Sequence, residues 1–397
     1  SDNSNSSPTL TNVTFSGNWA NNNGGGMANG SGSPMLTNVT FSGNKASNFG
    51  GGMLNGSSSP MLTNVAFNDN FATSGGGGMY NGSSNLTLTK VTFNANSVSL
   101  FGGGMYNSSS NATLTNVTFN GNTATSLGGG IFNNTSSLTL TNSTFRSNTA
   151  GNIGGGMYNY SSSPQIYNAI FWENSATHGG AQIYREDAAS VPAVSDSVVQ
   201  DGCPAGTNCY NIITTDPKLS TLGDYGGFTQ TIPLLAGSSA IDATSSNCPA
   251  TDQRGVPRSN PTCDIGAYEL EDYTLTVTSV HGTVARNPNR ATYHEGDVVQ
   301  LTATPDAGWS FANWTGEATG KSDPDTVILN GNTAITTNYT QNQYTLTITS
   351  LHGTVAKNPN KATYTYGETV QLTAMPDAGW SFANWTGDAT GMTNPVT

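Results

Sequence analysis

The chain has 397 residues, room for two or three domains, and carries a net charge of −12 although only 9% of its residues are charged. That balance argues against nucleic acid and anionic membrane surfaces as partners, and no apolar run approaches the ~18 residues of a membrane span, so no membrane insertion is expected. Solubility rests on Ser, Thr and Asn, interrupted by 48 glycines.

From Leu10 to Ile183 one motif recurs at a spacing of 26 residues: Leu10, Leu36, Leu62, Leu88, Leu114, Leu140 and Ile166, then Phe15 to Phe171, then Met27 to Ile183. A period of this size marks a solenoid. Each unit reads as short strands broken by turns, without helical periodicity, which predicts an all-β fold, a parallel β-helix whose 26-residue rungs stack strand on strand. Leu10, Val13, Phe15, Ala20 and Met27 are expected inward, with a bend at Asn12. Asn18, Asn44, Asn70, Asn96, Asn122, Asn148 and Asn174 form an unbroken column and are expected to bond amide to amide as a structural ladder. The GGG runs suit positive φ or close backbone approach. No GK[ST] follows them, so they are not phosphate loops.

The pairing of FxxN, as in Phe15 to Asn18, with GG-G-aliphatic, as in Gly24 to Met27, resembles the repeats of bacterial polymorphic outer-membrane proteins. That resemblance implies a right-handed β-helix displayed at a cell surface and associated with adhesion. β-Helices also carry polysaccharide lyases and hydrolases, so the fold alone does not choose.

Residues 1–165 hold two acids, Asp2 and Asp69, and three bases, Lys45, Lys90 and Arg146. A polygalacturonase-like hydrolase needs clustered carboxylates, and a pectate-lyase-like site needs acids for calcium plus a base. Neither inventory is present there, so no catalytic, cofactor or metal residue is assigned. Glu173, Glu186 and Asp187, near His178 and Arg185, arrive where the repeat decays and read as a solvated terminal rung. Two outward columns remain. Ala28, Leu54, Tyr80, Tyr106, Phe132, Tyr158 and Tyr184 follow the inward apolar residue, predicting an exposed aromatic stripe for a glycan, a protein or a second copy, unless a neighbouring loop covers it. Thr87 and Thr89, Thr113 and Thr115, Thr139 and Thr141 flank an inward Leu, a pattern similar to ice-binding β-solenoids, which Met35 and Met61 interrupt.

After Val191 the rhythm is lost. Asp224 to Gly227, Ala240 to Asp242, Cys248 to Gly255 and Cys263 to Glu269 together resemble the choice-of-anchor Q family, which implies a segment closing a secreted β-helix. All four cysteines lie here. Four allow three pairings, and short Pro/Gly/Asn-containing loops favour Cys203 with Cys209 and Cys248 with Cys263, in an oxidising, extracellular setting. No CxxC or HxxH spacing supports zinc or redox chemistry. Asp242, Asp252, Arg254 and Asp264 are expected as buried ion pairs and turn caps.

A second repeat follows Glu271, since Tyr273 and Tyr344, His281 and His352, Trp309 and Trp380, and Trp314 and Trp385 each differ by 71. The shared GTVA, NPN, QLTA and PDAGWSFANWTG text resembles the divergent internalin-type B-repeat, implying small β modules used as stalks or spacers. Trp309, Phe311 and Trp314 are expected to supply core, and the two histidines to sit in structural turns. Thr397 corresponds to Thr326, so further text is expected after it.

These readings give a β-helix over 1–199, irregular last rungs and a disulfide-bonded cap over 200–271, and β modules over 272–341 and 342–397. The expected function is a non-catalytic bacterial surface protein, a filament subunit or a displayed adhesin, against a polysaccharide-degrading enzyme and, behind it, an ice-binding solenoid. The chain enters the repeat directly at Ser1. The expectation is therefore either head-to-tail assembly, with the segment Cys248 to Glu269 or a C-terminal module covering the first rung, or earlier rungs that carried a cap.

Overall fold

A computed structural model describes residues 2–258 and 261–397, which form two compact units, 1–271 and 272–397. No helix occurs among the described residues.

The first unit is a right-handed parallel β-helix. Its first rung comprises the strands Thr9–Ser16, Trp19–Ala20 and Met27–Gly30, and each later rung pairs in parallel with the same residues 26 positions on, Leu10 with Leu36 and Met27 with Met53. Three sheets result: a long-strand sheet through the LTNVTF text, a short sheet at the corner, and a Met sheet. The core is the set of inward columns. Leu36, Val39, Phe41 and Met53 are at most 1% exposed, and the Phe rings stack from Phe15 to Phe171 with centroids 4.4–4.9 Å apart. Full burial of one such ring contributes roughly 1.5–3 kcal/mol, and its stacking about 0.5–1.5 kcal/mol more.

Local chemistry fixes the two sharp corners. Asn12, Asn38, Asn64, Lys90 and Asn116 all have φ of 56–59°, a left-handed bend that short polar residues tolerate best and that turns the strand between Leu10 and Val13. At the glycine corner Gly24 needs its φ of 66°, whereas Gly26 is required by proximity, because a Cβ there would lie 2.7 Å from the carbonyl oxygen of Gly52 on the next rung.

The rungs continue past residue 199, into the stretch expected to hold the irregular last rungs. Ala193–Val199 pairs in parallel with Asn208–Ile213, so the long-strand sheet runs on to Ile213, with Cys209 opposite Val194 in the inward Leu column. The segment expected as an end cap lies elsewhere. After residue 213 the chain turns back along the outer face of the long-strand sheet as a lateral strap. Asn168 donates to the carbonyl of Ser246 (2.6 Å), Asn142 to that of Asp264 (3.1 Å), Asn116 to that of Thr251 (2.8 Å) and Thr92 to that of Gln230 (2.7 Å). The physical reason is that Asn and Thr at the bend present unused amides and hydroxyls sideways, and Ile170 and Val198 add an apolar patch covered by Leu234, Ala240 and Ile265. The segment Cys248 to Glu269 therefore lies along the side of the solenoid and not across its end. The solenoid's end is instead crossed by residues 200–207, tied by Cys203–Cys209 (Cα–Cα 6.0 Å), while Cys248–Cys263 (6.2 Å) staples the strap.

In the second unit, residues 273–343 build two three-stranded sheets. Leu275–Ser279, Thr333–Gln341 and Trp309–Gly316 form one, and Gly282–Asn287, Asp297–Pro305 and Asp325–Leu329 the other. Trp314, 1% exposed, packs between them with Tyr293, Val299 and Leu301. The second copy has the hairpin Gly353–Asn358 with Gln371–Pro376, and Trp385 there is half-buried. His281 on Trp309 and His352 on Trp380 stack with ring centroids 3.7 Å apart, so each histidine braces a turn.

Candidate functional site

The aromatic stripe lies on the outer face of the Met sheet but is not the open platform expected. Tyr80, Tyr106 and Tyr184 are half-buried, and Phe132 and Tyr158 are buried at 7% and 5% exposure. The cover comes from the residue preceding each glycine corner: Phe49 lies 4.5 Å from Tyr80 and Phe101 lies 5.0 Å from Phe132, centroid to centroid. Tyr106 meets both neighbours edge-on, at 85° to Tyr80 and 89° to Phe132, while Phe132, Tyr158 and Tyr184 stack. Most ring faces are thus consumed within the ridge. Burial, then a hydrogen bond with Glu186, raises the Tyr158 phenol. Phe49, Phe101, Leu127 and Ile153 fall in one 26-residue register that only Gly75 interrupts, so the covering column was itself readable.

The Asn column is a ladder. Each Nδ2 donates to the Oδ1 one rung on, from Asn18 to Asn44 (2.8 Å) through Asn148 to Asn174 (2.8 Å). Asn44 to Asn148 are fully buried, and each also donates to a Phe carbonyl, as Asn96 does to Phe67 (2.8 Å). A second buried ladder went unread: Asn29, Asn55, Asn81, Asn107, Asn133 and Asn159, two residues after each inward apolar residue, bond the same way at 2.8–2.9 Å. The first ladder stops at Gln182, which stands in the place of the third corner glycine and takes the Asn174 amide on its Oε1 (2.7 Å).

The acidic residues at the decaying rung do not assemble. Glu173 pairs with Arg146 at 2.8 Å on an exposed face. Asp187 is held below the usual carboxylate range by the hydroxyls of Ser190 and Ser161, Glu186 bonds to Tyr158, and His178 is exposed. The Thr columns are in register, Thr87 with Thr113 and Thr139, Thr89 with Thr115 and Thr141. Met35 and Met61 stand about half exposed in the first column.

Charge concentrates in the strap, where the acids act on the backbone. Asp252, fully buried, accepts the N–H groups of Arg254, Gly255 and Val256 on Oδ1 and those of Arg254 Nε and Glu269 N on Oδ2. Arg254 lies over the Tyr268 ring at 3.6 Å. Asp264 accepts the N–H of Asp242 (2.8 Å) and Leu270 (2.6 Å). Burial, then the neighbouring Glu269, pushes its carboxyl up to about 8. Beside it sits a pair the sequence did not announce: Arg258 donates to Glu269 at 2.7 Å, both side chains 1% exposed, and to Asn116 of the solenoid at 3.1 Å. Burial lowers the Arg258 guanidinium against the opposing pull of Glu269, Asp252 and Asp264. Such a network holds a loop in place.

No helix of the described residues is long and apolar enough to cross a membrane. No curated protein and no solved structure matches the chain. Residues 273–343 and 344–397 each match the model of the divergent InlB B-repeat domain. Residues 2–145 and 53–212 match the model of a right handed beta helix region, which together span more than half of the sequence, so the chain belongs to the right-handed β-helix family.

Proposed function

We propose that this is a non-catalytic bacterial surface protein, with the β-helix as a displayed adhesive head and the B-repeat modules as its stalk. The observation that carries this reading is the fate of the solenoid's polar columns. Their Asn side chains are consumed by rung-to-rung bonding, and residues 1–165 contribute only Asp2 and Asp69 as acids. The acids of the strap are committed to backbone N–H groups and buried arginines. The resemblances to polymorphic outer-membrane proteins and to the choice-of-anchor Q family support display outside the cell, and two disulfides suit an oxidising compartment.

Two measurements test the reading together. Labelling of intact source cells with a membrane-impermeant reagent should reach the chain. Purified protein incubated with pectin, alginate and related polymers should release neither unsaturated nor reducing ends. Turnover that disappears in Glu173→Gln or Glu186→Gln would replace the adhesin with a polysaccharide-degrading enzyme. Sedimentation at high concentration separates a single displayed head from a self-assembled filament.

A further inference from the structure

The sheets end unequally. Beyond the seventh rung the long-strand sheet gains Ala193–Val199 and Asn208–Ile213, whereas the Met sheet stops at Ile183–Arg185. Between the two added strands the chain takes a short cut through residues 200–207 under the Cys203–Cys209 disulfide. The half-rung it skips leaves a cleft of about 520 Å³, lined by Gly180 to Arg185 on one side and Gln200 to Gly206 on the other. That volume falls within the range of small-ligand sites, roughly 300–1,000 Å³.

A stacked rung of another copy does not fit this place. Wherever a rung follows, the corner needs glycine, because a Cβ at Gly130 or Gly156 would collide with the next rung's carbonyl. At the cleft the corner reads Ala181-Gln182, and the Gln182 amide bonds to Asn174 and Gln200. The site is closed to strand stacking and open to a smaller guest.

Its lining has a definite chemistry. Tyr184 ends the aromatic ridge: one ring face stacks on Tyr158 at 5.5 Å, and past the skipped half-rung no aromatic residue among the described ones stacks on the other. Arg185 donates from Nη1 to the Ser190 carbonyl (3.2 Å), rests its guanidinium against Gly206, and makes no other side-chain hydrogen bond among the described residues. Gln200 accepts the Glu173 N–H (2.7 Å) and the Gln182 amide on Oε1, which leaves its NH₂ available, and the exposed Asp201 carboxylate has no protein partner among the described residues. An aromatic face flanked by planar donors and a carboxylate matches a pyranose, which offers one face of C–H groups and a rim of neighbouring hydroxyls. We propose that this cleft binds a terminal sugar of a glycan, stacked on Tyr184 and hydrogen-bonded by Arg185, Gln200 and Asp201. The proposal deepens the adhesive reading and rests on it.

Saturation-transfer NMR on the full chain, with the methyl glycosides of glucose and N-acetylglucosamine and with galacturonic acid as probes, tests it. At least one probe should bind saturably. Tyr184→Ser and Asp201→Asn should each weaken that binding about tenfold or more, and Tyr80→Ser should leave it unchanged. No saturable signal from any of the three, or equal affinity in Asp201→Asn, would overturn the proposal. If Tyr184→Ser fails to fold, the exposed Asp201 substitution decides alone. A silent cleft leaves surface display standing, whereas polymer turnover would remove the adhesin reading and leave the cleft untouched.

Discussion

One outward column of the long-strand sheet meets two environments. In the first rungs Thr14 is exposed and Thr40 half-buried, while under the strap Thr92, Thr118, Thr144, Ile170 and Val198 are all at most 1% exposed. Burying a hydroxyl without a partner costs about 1–3 kcal/mol, and here the strap answers each one. Gln253 alone serves two rungs, donating to Thr92 and accepting from Thr118, both at 2.7 Å, and Thr144 accepts the N–H of Ala267. Where the column turns apolar, at Ile170 and Val198, the strap turns apolar with it. A single repeated strand is therefore adaptable: its outer face can stay wet or be buried, depending on what a later segment brings to it.

The largest test of that contrast removes the strap's anchor. Arg258→Met takes the guanidinium away from the buried Glu269 carboxylate, and breaking a buried ion pair costs about 3–5 kcal/mol. Hydrogen exchange should then show the amides of residues 240–270 opening together, while the strands bearing Leu36, Val39 and Phe41 stay protected. Equal loss in both regions would make strap and solenoid one cooperative unit.

The same network sets a pH dependence. The Asp264 carboxyl keeps its proton up to about 8 when folded but releases it near 3.8 when unfolded. Between those values the folded state holds more protons, so this contribution is fully present below 3.8 and is lost as pH rises through about 8. Melting of the strap should move to lower temperature over that window, and Asp264→Asn should flatten the profile. An Asp264→Asn profile as steep as that of the parent would place the titration elsewhere.

A second, smaller effect contrasts the solenoid's interior with its first rung. Asn96→Ala removes the acceptor of the Asn70 backbone N–H and of one Asn70 Nδ2 hydrogen, and the donor to the Phe67 carbonyl, at a cost of about 1–3 kcal/mol. Asn18, exposed on the first rung, should tolerate alanine within about 0.5 kcal/mol. Chemical denaturation of both variants checks the ratio, and equal losses would mean that the ladder is held by its ends.

The rungs were legible because identical text at a fixed interval leaves one way to stack Leu10 on Leu36 and Phe15 on Phe41, and the bend at Asn12 showed as a break in alternation. The second Asn ladder was equally periodic but lay behind the conspicuous GGGM text. The strap was not legible. Its contacts join Gln253 to Thr92 and Arg258 to Asn116, pairs far apart in sequence, where no period relates one partner to the other. The half-rung cleft escaped for a similar reason, since the sequence shows that the repeat fades after Val191 and gives no sign that one sheet outlasts another.

The smallest effects probe the outward column itself, where departures from the repeat mark the covered rungs. Ile170 stands where all earlier rungs but that of Ala66 carry Thr, and it packs in a cluster with Val198, Leu234, Ala240 and Ile265. Trimming it to valine removes one methyl from a filled site, and Ile170→Val should cost about 0.5–1.5 kcal/mol, read as a lower denaturation midpoint with unchanged slope. The converse change, Thr40→Ile, places the covered-rung residue on a half-buried rung next to Thr14 and Ala66. Among the described residues no strap group bonds to Thr40 as the Gln230 carbonyl does to Thr92, so its stability should move by no more than about 0.5 kcal/mol in either direction. A loss at Thr40→Ile as large as that at Ile170→Val would show that the first rungs are covered as well, and the contrast between wet and buried copies of the strand would fail.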